Sequence, residues 1–342
     1  MNVFFDIVKT LALLIVSAYF LRQLFPGKCA GSTDHVKLAR LYEMECVSLS
    51  KPLTEHARPK TLKEISGQKD ALFALKAALF GKYPKHVILC GPPGVGKTTA
   101  ARLIFKEAIR SPDSPFSKNA PFVEMDASLI RFDERGIADP LIGSVHDPIY
   151  QGAGEKGSAG IPQIKEGAVT RAHGGILFLD EIGEMHPMEM MRLLKVMEDR
   201  KVHFDSAYYD PFSKATDEYT KKAFEKGLPA DFRLIAATTK KPGALPKALT
   251  SRAVTIRFAR LTHLQKARIA HMAAKRAGVK FSDSACLKIA KSASSGRVCV
   301  NIVETALGAA AADGRKTAND KDILWAIRTF GDRPEPSKKV HF

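Results

Sequence analysis

Paired cysteines are missing from this sequence. Its five cysteines, at positions 29, 46, 90, 286 and 299 of 342, form no C-x-x-C pair and have no histidine at zinc-ligand spacing. That excludes a disulfide framework and a zinc module. The thiols read as reduced, with Cys90 packed inside a strand. There is no arginine-rich tract and no basic run interleaved with aromatics. The formal net charge of +17 therefore reads first as a solvated basic surface, which makes nucleic acid an unlikely partner without excluding it. The N-terminus lacks a basic leader, and no A-x-A-like site follows its apolar run, which argues against a cleaved secretory signal.

At 45% hydrophobic residues the chain has enough apolar material for a sizeable core, and its length fits about two domains. Residues 1–25 stand apart. Val3–Leu21 is apolar except for Asp6 and Lys9, long enough to span a bilayer if Lys9 snorkels. Arg22 and Lys28 then place the body on the cytoplasmic face of the membrane. A buried or surface helix is the alternative. Residues 26–55 read as a polar linker with a helical patch over 36–45.

The chain is organised around Gly91-Pro92-Pro93-Gly94-Val95-Gly96-Lys97-Thr98, which fits G-x-x-x-x-G-K-[ST]. The apolar run 86–90 predicts a strand before it, and the pattern from Thr99 to Ile109 predicts a helix after it. Such a loop cradles phosphates with backbone N–H groups, because glycines leave the backbone bare. Lys97 would reach the β/γ-phosphates, Thr98 would hold Mg²⁺, and the helix dipole would face the anion. The second motif is Gly174-Gly-Ile-Leu-Phe-Leu-Asp180-Glu181. A continuous apolar run predicts a strand buried on both faces. Two carboxylates at its end are costly unless they act there: Asp180 on Mg²⁺, Glu181 on an attacking water. Phe232–Thr239 predicts another buried strand, with Thr238 or Thr239 at the same sheet edge. Strands are also predicted at 122–126 and 254–258, and an alternating strand or hairpin at 201–210. Beyond 260 the pattern is helical throughout, over 262–276, 282–292, 297–312 and 319–330. Residues 131–167 form a long loop rich in Gly and Pro. Tyr150 beside Gln151-Gly-Ala-Gly154 suits gripping a chain; a packed tyrosine is the alternative.

In this order the motifs resemble those of the AAA+ ATPases over residues 55–330. The runs 131–154, 168–184 and 205–209 are similar to the ATPase module of bacterial Lon proteases of the B type. The resemblance implies an α/β P-loop domain at 56–259, its parallel sheet sandwiched by helices, a helical lid at 260–330 and a tail at 331–342. It implies ATP bound by residues 91–99 and Arg297, with Mg²⁺ on Thr98 and Asp180. Thr239 corresponds to the family's sensor-one residue. Arg252, after Ser251, corresponds to an arginine finger acting on a neighbour, and Arg297, after Gly296, to the lid's sensor two. Arg58-Pro59 and Gly67-Gln68 correspond to the segment beside the adenine. The family assembles as a homo-oligomeric hexameric ring that threads unfolded protein into a Ser-Lys peptidase domain. No serine in the second half stands in a Pro-x-Ser-x-Gly-like setting with a downstream lysine. The chain is therefore expected not to cut peptides itself, and to rely on a peptidase domain or partner. Two other classes remain open: a nucleic-acid motor like Holliday-junction helicases or clamp loaders, and a non-proteolytic membrane-associated assembly factor.

Overall fold

The computed structural model describes residues 31–130, 139–146, 162–206, 208–212 and 216–332. The apolar N-terminal run, most of the loop carrying Tyr150, and the tail from 333 lie outside the described residues. The chain divides into two compact units, residues 1–52 and 53–342. In the first, helix α1 runs Gly31–Cys46, longer than the helical patch predicted from the pattern. Among the described residues no helix is long and apolar enough to cross a membrane.

The second unit is built on a five-stranded sheet. Its strands are β1 (His86–Cys90), β2 (Phe122–Asp126), β5 (Ile176–Asp180), β8 (Arg233–Thr238) and β9 (Ala253–Arg257), in the order β2-β5-β8-β1-β9. Every pairing is parallel. Parallel strands need crossovers that cover both faces, and the apolar runs reflect it. Ile88, Leu177, Leu179, Leu234 and Ala236 face one core, and Val87, Leu89, Ile176, Phe178, Ile235 and Ala237 face the other. This strict alternation is the two-residue period of a strand read against two apolar layers. Burying one such large side chain stabilises the fold by about 1.5–3 kcal/mol.

Helices α3 (Lys69–Leu79) and α4 (Lys97–Ala108) cover the second face. The first is covered by α5 (Ala168–Arg171) and α6 (Pro187–Asp199). The predicted long loop contains an antiparallel hairpin, β3 (Gly143–His146) with β4 (Gln163–Glu166). The predicted strand or hairpin at 201–210 is cut to the two-residue β6 (Lys201–Val202). It pairs with β7 (Leu228–Pro229) across α7 (Glu218–Lys226). The alternation was real, but its partner lies beyond an intervening helix.

The short α8 (Lys247–Thr250) precedes β9, and from His263 onward all elements among the described residues are helical: α9 (His263–Arg276), α10 (Asp283–Ser292), α11 (Gly296–Ala312) and α12 (Asp320–Phe330). They share a separate apolar core. Capping sets their starts. Thr262 and Gln265 form a reciprocal capping box on α9, Asn319 and Asp322 another on α12, and Ser295 accepts from Val298 N–H at 3.3 Å. The short α2 (Leu53–His56), in the stretch predicted as linker, packs on this helical layer through Leu53 and on α11.

Candidate active site

The sheet order brings the two sequence motifs together. β8 lies between β1 and β5, so three parallel strands end side by side, with Cys90 level with Thr238 and Leu179 level with Ala236. In open α/β sheets, ligands bind beyond these carboxyl ends. The glycine turn leaves β1, the acid pair ends β5, and the threonine pair ends β8.

The turn has the backbone its glycines imply. Gly94 and Gly96 have φ of 69° and 96°, in the left-handed region closed to most side chains. Gly96 is also the residue that caps α4. Lys97 is the first residue of α4 and is 7% exposed. Its Nζ donates to the carbonyls of Gly91 at 2.7 Å and Pro92 at 3.1 Å. Burial lowers its pKa, Glu181 and Asp180 pull it back up, and Arg297 lowers it further. The guanidinium of Arg297 is thus close enough to disfavour the charge on Lys97. The start of the Arg297 side chain lies against the glycine turn, its Cβ 3.3 Å from where a Cβ on Gly94 would stand.

The acid pair is tied to both neighbouring motifs. Thr98 Oγ1 donates to Asp180 Oδ2 at 3.3 Å. These two oxygens form a hard donor set of the kind that binds Mg²⁺. Glu181 has φ 47° and ψ 44°, a left-handed conformation that costs a residue with a side chain about 1–3 kcal/mol and concentrates at functional sites. Its Oε2 accepts from Thr239 Oγ1 at 3.2 Å and Thr239 N–H at 3.3 Å. The hydroxyl of Thr238 is fully buried and accepts from Lys240 N–H at 3.0 Å. Of the two threonines the sequence left open, Thr239 faces the acid.

The helical layer closes on the turn at one point. A Cβ on Gly296 would lie 3.0 Å from Gly94 O, and one on Gly94 would lie 3.0 Å from Ser295 Oγ. The first turn of α11, carrying Arg297, meets the glycine turn because both sides lack a side chain there. Pro92, Pro93, Val95 and Thr99 shape the turn and the start of α4, Val95 being buried. Arg252 is not drawn to this cluster within the chain. Its guanidinium pairs with Glu198 at the end of α6 and donates to Ala248 O at 2.9 Å. Tyr150 lies outside the described residues.

Sequence reasoning missed Lys240, and for Gln68, placed in the segment beside the adenine, it missed the partner. Lys240 pins the turn after Glu181, donating to Gly183 O at 2.6 Å and pairing with Glu184 at 3.0 Å; its only signal was adjacency to the threonine pair. The Gln68 side-chain amide donates from Nε2 to Ala259 O at 2.8 Å and accepts from Ala259 N–H on Oε1 at 3.1 Å, across a separation of 191 residues that no local pattern connects.

A nucleotide-binding parallel sheet of this order, with a helical layer over the phosphate turn, is that of an AAA ATPase. Residues 87–261 match the ATPase family associated with various cellular activities (AAA), and the chain belongs to that family. Within it, the chain is similar to a Lon protease. The chain is 50% identical over 304 residues, 89% of its length, to Lon protease 2 of Bacillus subtilis, and spans 55% of that protein. It is also 31% identical over 166 residues to the transcriptional regulatory protein RtcR of Escherichia coli, covering 48% of this chain and 25% of that one. Among solved structures it resembles the RuvB Holliday junction branch migration motor of Thermotoga maritima. That match has a TM-score of 0.52 at 20% identity, over 80% of this chain and 73% of that one, a likeness of fold alone.

Proposed function

We propose that this chain is the ATP-hydrolysing motor of a Lon-type machine, working as a homo-oligomeric, hexameric ring on unfolded protein. The observation that carries the reading is the contact of Glu181 with Thr239 beside the Thr98–Asp180 pair, at the mouth of the glycine turn. In this reading Lys97, the turn's N–H groups and Arg297 bind the phosphates, with residues 91–99 forming the cradle. Thr98 and Asp180 hold Mg²⁺, which supplies charge neutralisation on the phosphate oxygens. Glu181 takes a proton from water as the water oxygen bonds to the terminal phosphorus and the bond to the bridging oxygen of the departing ADP breaks. Thr239 holds the Glu181 carboxylate and the water in register. Arg252 sits on the surface, paired with Glu198, and acts on the nucleotide of a neighbouring copy.

The similarity to Lon protease 2 supports peptide threading, with Tyr150 as the gripping residue and a peptidase domain or partner doing the cutting. The apolar stretch at 3–21 supports anchoring on the cytoplasmic side of a membrane. Complementation tests the ring. Lys97→Ala and Arg252→Ala should each be nearly inactive alone, since an arginine finger contributes about three to five powers of ten. Mixed, they should regain ATPase, because the first supplies Arg252 to the intact phosphate site of the second. No regain at any mixing ratio would remove Arg252 from its role. Strong stimulation by duplex DNA, steeply reduced by salt, would favour the nucleic-acid motor instead. A stable co-purifying partner without substrate unfolding would favour an assembly factor.

A further inference from the structure

The stretch Leu53–Gln68 is a second tie between the α/β layer and the helical lid, besides the covalent passage at Ala259. Its first half belongs to the lid. Leu53 and Ala57 pack against the lid core, and Leu53 N–H donates to Glu304 Oε1 of α11 at 2.9 Å. Its second half belongs to the α/β layer. Leu62 and Ile65 join the core under α3 and α4, and the Ile65 side chain lies 3.8 Å from where a Cβ on Gly96 would stand. Gly67, with φ 73°, leaves room for the side chain of Gln265 on α9. Gln68, 3% exposed, holds the backbone of Ala259 from both sides.

Where the two halves meet, Arg276 at the end of α9 closes the strap. Its guanidinium donates to the carbonyls of His56 and Arg58 and pairs with the Glu64 carboxylate. The side chains of Arg276 and Glu64 are 16% and 26% exposed, so little solvent screens the pair. Glu64 is held below its ordinary pKa, chiefly by the Lys60 backbone N–H, with Arg276 adding to it. From Arg276 the path to the site runs through packed helices. α9 packs on α11 within one apolar core, and α11 begins with Ser295, Gly296 and Arg297 against Gly94.

We propose that Arg276 is a positioning residue for the nucleotide: by clamping the strap to the lid it sets the lid angle, and with it the place of Arg297 over the phosphate turn. This rests on the ATPase reading above. Release of Arg276 removes the charged tie that holds the lid angle and leaves the α2 contact and the Gln68 bonds to Ala259 as the remaining ties.

The test uses the full chain in detergent, with Arg276→Ala and Glu64→Gln. Affinity is read with a fluorescent ATP analogue. Lid position is read as a spin-label distance between Lys106→Cys on α4 and Lys321→Cys on α12, both exposed, in a Cys29→Ser, Cys46→Ser background. Removing charged hydrogen bonds of this kind should weaken nucleotide binding by about tenfold in Arg276→Ala. The loss should be smaller in Glu64→Gln, which leaves both carbonyl acceptors in place. KM should rise with kcat within about threefold, and the distance distribution should broaden. In an Arg297→Ala background the further loss should be less than about twofold, because the two act through one element. Unchanged affinity and distance in the folded variants would overturn the proposal. So would an undiminished Arg276→Ala effect on top of Arg297→Ala, which would make Arg276 a fold-stabilising residue only. If Arg276→Ala does not fold, Glu64→Gln carries the same decision. If the wild type binds no ATP analogue, the ATPase reading falls, and the distance distributions decide the strap by themselves.

Discussion

Replacing Glu181 with glutamine isolates its chemistry from its structural contacts. The carboxylate oxygen that accepts from Thr239 N–H and Oγ1, at 3.3 and 3.2 Å, becomes an amide oxygen of the same shape. Both hydrogen bonds survive, each weakened from a charged to a neutral acceptor. Both bonds are long and partly exposed, so the stability cost should stay below about 1 kcal/mol. The left-handed backbone is equally unfavourable for Glu and Gln, so no strain is added or relieved. Lys97 loses its leading carboxylate neighbour, but a bound triphosphate brings more negative charge than was removed, so affinity should hold or rise. Proton abstraction, by contrast, is lost altogether. General-base catalysis is worth about two to four powers of ten, and hydrolysis should fall by that much. Phosphate release at saturating ATP gives kcat, a fluorescent-nucleotide titration gives Kd, and gel filtration shows whether assembly is intact. Turnover within about tenfold of wild type, with normal binding, would mean that another group takes the proton.

The threonine pair should divide by role. Thr239→Val removes the hydroxyl donor to Glu181, leaving the backbone N–H, and should lower kcat by about tenfold or more with Kd nearly unchanged. Thr238→Val leaves the Lys240 N–H without its acceptor and should cost about 1–3 kcal/mol of stability instead; equal kinetic effects from both would contradict this division. Gly91→Ala would put a methyl 2.5 Å from Phe258 O and 2.9 Å from Phe258 Cβ. That should destabilise by about 1–3 kcal/mol, and a melting temperature equal to wild type would count against so tight an approach. His86 accepts the Leu234 N–H on Nδ1 at 2.9 Å, and burial, with Arg233 adding, pushes its pKa down from 6.5 to about 4. The unfolded chain binds that proton near pH 6.5 and the folded chain only near 4. Stability should therefore fall as pH drops through this window, by about 3 kcal/mol in total. Denaturant titrations across that range should show a shallower fall in His86→Gln, and an unchanged slope would assign the effect to other groups.

Local chemistry was legible wherever one segment carried its own signal. Gly94 and Gly96 announced the turn because only a bare backbone supports their φ angles. Asp180 and Glu181 stood out because two carboxylates ending an apolar strand need a task. The helices after 260 were readable from their period, and the structure adds the caps that start them, such as Thr262 with Gln265. Pattern failed where the partner was remote. The alternation from Lys201 promised a longer strand than β6, because its mate at Leu228 comes only after α7. The hairpin of β3 and β4 was hidden in a stretch whose glycines and prolines read as loop.

The sequence by itself picked out the residues of the candidate nucleotide site: the glycine turn, the lysine and threonine after it, and the acid pair. Each depends on backbone conformation or charge within a few consecutive residues. Only the tertiary structure decided which groups meet. Inserting β8 between β1 and β5 puts Thr239, and not Thr238, against Glu181. The close approach of Gly94 and Gly296 brings the start of the Arg297 side chain to the glycine turn. The clamp of Arg276 on the strap, and of Gln68 on Ala259, joins residues about two hundred positions apart. Such contacts are products of packing, which depends on the shape of whole layers, and no window of sequence contains both partners.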